Sequence, residues 1–173
     1  MSLLNGCYAM SIAPYVPSPE FVIRKMLELA ELRAGEKLYD LGSGDGRVVI
    51  SAARDFNAEA FGIEIKEDLV IQSTQRVKEL RLEDRAHIIH GNFLEVDFGD
   101  ADVVTAYLTT SANAQVKPKL EQQLRLGARV VSHDYEFPGW TPTKIESLVE
   151  PGGALFTHTL YLYRFAGNPS KEK

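Results

Sequence analysis

The chain has 173 residues, room for one ordinary domain, and its 45% hydrophobic and 25% charged content excludes disorder and fibrous structure. Nineteen basic residues against 24 acidic ones leave a net charge of −5. That balance argues against a protein that coats nucleic acid, because such binding needs clustered Lys and Arg to displace counterions.

The lone cysteine, Cys7, excludes an internal disulfide and any cysteine-based metal site. Residues 1–14 lack the basic start and apolar run of a signal peptide, and no apolar stretch approaches the roughly 18 residues of a membrane span. The expectation is a cytoplasmic protein with no membrane partner. An N-terminal extension (1–14) and a polar tail (166–173) flank a single domain at 15–165.

Along the chain, Ser18-Pro19-Glu20 reads as a helix opening, with Ser18 as N-cap and Gly35 as the stop. Lys37 to Leu41 reads as a short buried strand, with a helix beginning around Val48-Val49-Ile50. Glu59 to Glu64 is a second strand, Lys66 to Arg81 a helix with Leu69, Val70, Val77 and Leu80 inward, and Ala86 to His90 a third strand. Ala101 to Tyr107, Ala112 to Leu124 and Gly127 to His133 follow as strand, helix and strand. This alternation implies parallel βαβ units with helices on both faces. Lys144 to Val149 and Ala154 to Phe165 are separated by a turn at Glu150-Pro151-Gly152-Gly153, and Thr157 to Arg164 within the second alternates like a strand, so the pattern ends as an antiparallel hairpin.

The densest signal is Tyr39-Asp40-Leu41-Gly42-Ser43-Gly44-Asp45-Gly46-Arg47. A buried strand ends, glycines alternate, and a helix begins. The glycines let the backbone turn sharply and a ligand lie against it, and the helix N-terminus offers free N–H groups. In an open parallel sheet ligands bind outside the carboxyl ends of the strands, where this loop sits. Glu64, ending the second strand, is placed to accept both hydroxyls of a ribose. The spacing is not the dinucleotide Gly-x-Gly-x-x-Gly, because Arg47 fills the slot that wants a small residue. No Gly-Lys-Ser/Thr phosphate loop is present. Asp40 and Asp45 would repel a pyrophosphate and favour a cationic nucleoside.

YDLGSGDGR resembles the first motif of class I S-adenosylmethionine (SAM) dependent methyltransferases. The runs YVPSPEFVIRKMLELA, HGNFLEVD, VKPKLEQQL, ARVVSHDYEFPGW and HTLYLY are similar to the small archaeal protein-lysine methyltransferases of broad substrate range. These in turn resemble the mitochondrial enzymes that methylate the ATP synthase c subunit and the adenine nucleotide translocase. The likeness runs from Tyr15 to Arg164.

It implies a Rossmann-like three-layer αβα sandwich on a mostly parallel seven-stranded sheet ending in an antiparallel hairpin. By the same resemblance, Asp40, Gly42, Ser43, Gly44, Asp45 and Gly46 would hold the methionine part of SAM. Glu64 would hold its ribose, Asn92 and Phe93 would border the adenine, and Tyr15 and Pro17 would lie over the cofactor. Tyr107-Leu108-Thr109-Thr110 stands where amide and adenine-N6 methyltransferases have Asn-Pro-Pro-Tyr, which argues against those chemistries.

The substrate amine must be neutral to attack. Deprotonating a free lysine at pH 7 costs about 4.6 kcal/mol, which a buried slot and the cofactor's charge would reduce without a strong general base. Candidates for that slot are Tyr107, Leu108, Ser132, His133, Asp134 and Trp140, with Trp140 able to offer a cation–π face and Asp134 and Glu136 to recruit basic sequence. His87 and His90, three apart on a strand, point to opposite faces, so no metal is expected. The expected partners are proteins with accessible lysines, met by a monomer with no nucleic acid. Two alternatives remain: a SAM-dependent methyltransferase of RNA or a small molecule, and a SAM-binding protein without activity.

Overall fold

In the computed structural model, residues 15–152 and 156–166 are described. The proposed N-terminal extension lies outside them, as do residues 167–173 of the proposed tail. Seven strands form one sheet: β1 (Lys37–Leu41), β2 (Glu59–Glu64), β3 (Ala86–His90), β4 (Val103–Ala106), β5 (Arg129–His133), β6 (Lys144–Val149) and β7 (Thr157–Arg164). Their order is β3-β2-β1-β4-β5-β7-β6. All pairs are parallel except β5–β7 and β6–β7, so β7 alone runs against its neighbours.

Four helices are α1 (Glu20–Leu29), α2 (Arg47–Phe56), α3 (Glu67–Glu79) and α4 (Thr110–Gln123). Val22, Met26 and Leu27 of α1 pack with Val49 and Ala52 of α2, Val77 of α3 and Leu38, Val103 and Val131 of the sheet. On the opposite face, Val116 and Leu120 of α4 pack with Phe98, Tyr39, Val104 and Val130. Alternation along β1, β4 and β5 sends successive side chains to the two layers, so the three-layer expectation holds. Strand order reverses between β1 and β4, which places a crevice at their carboxyl ends.

Several boundaries differ from the sequence reading, each for a local reason. Pro19, not Ser18, is the α1 N-cap, and it makes no side-chain cap bond. The Ser18 hydroxyl is drawn instead to His133 Nδ1 at 2.9 Å, across 115 residues of chain. The helix stops well before Gly35, because Glu31 takes a left-handed φ of 51° while Leu32 N–H returns to Leu27 O. The fourth helix begins two residues early, since the Thr109 hydroxyl accepts from Ala112 N–H at 3.2 Å. Leu80, expected inward, is 42% exposed because α3 ends at Glu79.

Arg129 ties the start of β5 to the segment between α1 and β1. Its guanidinium donates to Glu36 Oε1 and Oε2 at 3.0 and 2.6 Å and to the carbonyls of Ala30 and Glu31 at 2.8 and 3.1 Å. Burial pushes the Glu36 carboxyl up, but Arg129 outweighs it and the net shift is downward. Removing one partner from such a pair leaves a buried charge unpaired, whereas an exposed pair contributes under about 1 kcal/mol. Glu36→Ala is therefore expected to lower unfolding free energy by about 2–4 kcal/mol in urea denaturation. Arg125→Ala, which breaks the exposed pair with Asp102, is expected to cost less than about 1 kcal/mol.

Candidate functional site

A cleft of about 950 Å³, part of it open to solvent, lies at the carboxyl ends of β1, β2 and β4. Its size suits a drug-sized ligand or nucleoside. Three carboxylates converge there, and their compensation differs.

Glu64, buried at the end of β2, accepts three backbone hydrogen bonds. Oε2 accepts from Gly44 N–H at 2.8 Å, and Oε1 accepts from Ile65 and Lys66 N–H, both at 2.9 Å. This carboxylate therefore holds the glycine loop against the next strand. Asp45 is neutralised by Arg47, which donates to Oδ1 at 2.9 Å and Oδ2 at 2.7 Å, with Arg76 3.4 Å from Oδ2. Burial works against the Asp45 carboxylate, yet these guanidinium bonds bring its pKa below the usual range. The expectation that Asp45 is a free anion for a cationic ligand is thereby corrected: Arg47 occupies it, and a further N–H of Arg47 binds the Ser18 carbonyl at 3.0 Å.

Asp40 is different. Its buried carboxylate has one side-chain donor, the Thr105 hydroxyl at 2.8 Å from Oδ1. Desolvation pushes its pKa up to about 7, against the Thr105 bond and with the help of the negative Glu64 and Asp45 nearby. It is the carboxylate that a cation in the cleft would discharge.

The glycines shape the wall. Gly42, Gly44 and Gly46 all have left-handed φ (71°, 55° and 78°). A Cβ at Gly44 would run into the Tyr15 ring, whose Cδ2 would lie 2.9 Å away, so the strap Tyr15-Val16-Pro17 closes over bare backbone. Tyr15, Pro17, Asp40, Gly42, Ser43, Gly44, Asp45, Glu64, Asn92 and Phe93 all line the cleft, and so do Tyr107 and Leu108. Gly46 is a correction. It turns into α2 behind the wall, where a Cβ would meet Ser73 Cβ at 3.0 Å.

Two further residues do not reach the cleft. His133 is fully buried, shielded by the Tyr107 ring with centroids 3.9 Å apart. Trp140 stacks on Phe137 at 4.7 Å and packs with Tyr163 and Phe165, its indole N–H donating to Glu121 Oε1 at 2.8 Å. The aromatic partners at the end of the chain decide its place, and it offers no face to a substrate in the cleft. Ser132 is buried beneath the 133–136 turn, and Glu136 is exposed.

Sequence reading missed Met26, Arg47, Ile63 and Lys66 on the cleft wall. It also missed Gly62, where a Cβ would lie 2.6 Å from Ser43 Oγ and 2.8 Å from Val49 Cγ2. A glycine inside a strand was the available signal, since it marks a close approach by a neighbouring segment, here through the Ser43 and Val49 side chains. Ser43 Oγ, buried on the cleft wall, has no hydrogen-bond partner among the described residues. A buried hydroxyl left without a partner is costly unless a ligand supplies one.

Comparison with known proteins fits this geometry. Residues 40–144 match the family model described as the ANTKMT methyltransferase domain. The chain is 46% identical over 151 residues to a protein-lysine N-methyltransferase of Saccharolobus islandicus, covering 87% of this chain and 92% of that one. It is 32% identical over 134 residues to the adenine nucleotide translocase lysine N-methyltransferase of Mus musculus, covering 76% of this chain but 57% of the mouse protein. Among solved structures, an RNA methyltransferase from Salinibacter ruber in complex with S-adenosyl-L-homocysteine superposes with TM-score 0.78 and 41% identity, over 86% of this chain and 93% of that one. The chain belongs to the ANTKMT methyltransferase domain family and is a SAM-dependent methyltransferase of the class I fold.

Proposed function

We propose that this protein transfers the methyl group of SAM to lysine side-chain amines of proteins, with the cleft as the cofactor site and the Tyr107 end as the lysine slot. The observation that carries the reading is the uneven compensation of the three carboxylates. Glu64 accepts three backbone N–H bonds and Asp45 is paired with Arg47, whereas Asp40 lacks a counter-charge. That pattern favours a ligand that is a nucleoside at one end and a cation at the other.

The sulfonium supplies an activated methyl group and a positive charge that draws down the pKa of a nearby amine. In this reading Asp40 takes the ammonium of the methionine part, and the unpartnered Ser43 hydroxyl gains a bond. Glu64 keeps Gly44 N–H fixed while its carboxylate edge faces the ribose, and Asn92 and Phe93 border the base. The Asn92 amide oxygen is engaged with Leu94 N–H at 2.9 Å, which leaves its NH2 for the ligand. Tyr15 and Pro17 close over the occupied loop.

Tyr107 and Leu108 form the wall where a lysine stem would lie. Burial, then the negative Asp134 beside it, pushes the Tyr107 phenol up to about 12, so at neutral pH it is a hydrogen-bond donor and not a base. Positioning an amine in line with the methyl group is then the main contribution of the protein, and the proton leaves to water.

The Salinibacter relative is described as acting on RNA, and that is the second reading. The net charge of −5, with Asp134 beside Tyr107, favours basic protein sequence instead. Among the described residues, no helix is long and apolar enough to cross a membrane.

Incubation with methyl-labelled SAM and a mixture of cellular protein and RNA tests the reading. Base-stable label on protein lysines is expected; label confined to RNA, or none in either, would overturn it. Gly44→Ala places a side chain at a left-handed position, a strain of about 1–2 kcal/mol, and displaces Tyr15. It is expected to weaken SAM binding by about tenfold or more in calorimetry while the fold persists by circular dichroism. Asp40→Asn is expected to weaken binding of SAM more than that of adenosine, which carries no cation.

A further inference from the structure

Behind the wall of the cleft, three donor atoms converge on one point. His133 ends β5, Asp134 follows it, and His158 stands in the adjoining antiparallel strand β7. His133 Nε2 lies 2.9 Å from His158 Nδ1 and 3.3 Å from Asp134 Oδ2, and His158 Nδ1 lies 3.7 Å from the same oxygen. All ligand atoms of the group fall within 4.8 Å of one another. Three ligands on a tetrahedral ion with bonds of about 2.0–2.1 Å stand about 3.3–3.4 Å apart. The three observed separations scatter around that value, so a single point about 2 Å from every donor exists between them.

Each donor is also oriented from behind. The far nitrogen of His133, Nδ1, is 2.9 Å from the Ser18 hydroxyl. The other oxygen of Asp134, Oδ1, accepts from Thr159 N–H at 2.8 Å. His158 Nε2 lies 3.4 Å from Glu150 Oε1. Outer partners of this kind fix the tautomer and aim of metal-bound imidazoles and carboxylates. The backbone of Asp134 is held at a left-handed φ of 61°, and its N–H donates to Thr159 O at 2.7 Å. A non-glycine residue keeps such a conformation where its surroundings impose it, and here it turns the carboxylate toward the two imidazoles.

We propose that His133, Asp134 and His158 form a site for a divalent transition ion of the zinc type, with the fourth position left to water on the partly exposed Asp134 side. Two imidazoles and one carboxylate are the ligand set that such ions take. The ion fastens β7 to the end of β5 and fixes the imidazole on which the Tyr107 ring rests. It lies outside the cleft, and the proposal stands whichever substrate the enzyme methylates. The sequence reading expected no metal because it weighed only His87 and His90; the pair that meets, His133 and His158, comes together through strand pairing.

The test uses the untagged full chain, stripped with chelator and titrated with Zn²⁺ and Co²⁺. Expected are uptake of one ion per chain, visible absorption bands from the Co²⁺ form, and a Zn²⁺-dependent rise in melting temperature. His158→Gln is expected to abolish all three. Asp134→Asn, which tolerates the left-handed backbone, is expected to weaken uptake about tenfold or more. Circular dichroism and SAM titration of the metal-free variants verify that fold and cleft persist. No stoichiometric uptake by the wild-type chain would mean that the two imidazoles share only a hydrogen bond, and would overturn the proposal. Uptake that survives His158→Gln would place the ion elsewhere and overturn it equally.

Discussion

The cleft is organised around an acid buried with too little to neutralise it. Asp40 stands one residue from the end of β1, and the sheet supplies a single hydroxyl from Thr105 on the neighbouring strand. The charges that act on it, Glu64 and Asp45, are themselves negative. A carboxylate in that position raises the cost of the empty state when ionised, and the protein meets the cost by holding a proton. In the proposed reading a cationic ligand would replace that proton, so affinity and selectivity for positive charge would come from the same desolvation.

The remaining parts of the site keep that arrangement in place. Glu64 clamps the loop through Gly44 N–H, and Gly62 lets Ser43 and Val49 approach β2 closely. Arg47 serves twice, discharging Asp45 and anchoring the Ser18 carbonyl, which fixes the start of α1 beside the cleft. The strap at Tyr15 is seated by the absence of a side chain at Gly44. Loop, strap and strand ends thus depend on one another, while the layers beneath them hold the crossover at β1 and β4 rigid.

Much of this was legible in the sequence. Alternating apolar runs located β1, β2, β3 and β6 to the residue, because short strands bounded by turn residues have clear ends. The triple glycine after KLYDL and the acid ending EAFGIE identified the crevice, since each has a physical requirement that only those residue types meet. What could not be read were contacts joining distant parts of the chain. Ser18 looks like a helix cap until His133 is seen beside it. Trp140 looks like a substrate face until Phe137, Tyr163 and Phe165 enclose it. In each case a local preference lost to a partner brought near by strand order, which spacing along the chain does not encode.

The most direct test of the central claim counts protons. Burial pushes the Asp40 pKa up to about 7, so at pH 6 the empty protein holds most of a proton there, and a cation taken up beside the carboxylate would displace it. Calorimetric titration with SAM at pH 6, in buffers of different ionisation enthalpy, should report close to one proton released per ligand. The release should fade above pH 8 and vanish in Asp40→Asn. Binding at pH 6 with no proton released would contradict the account.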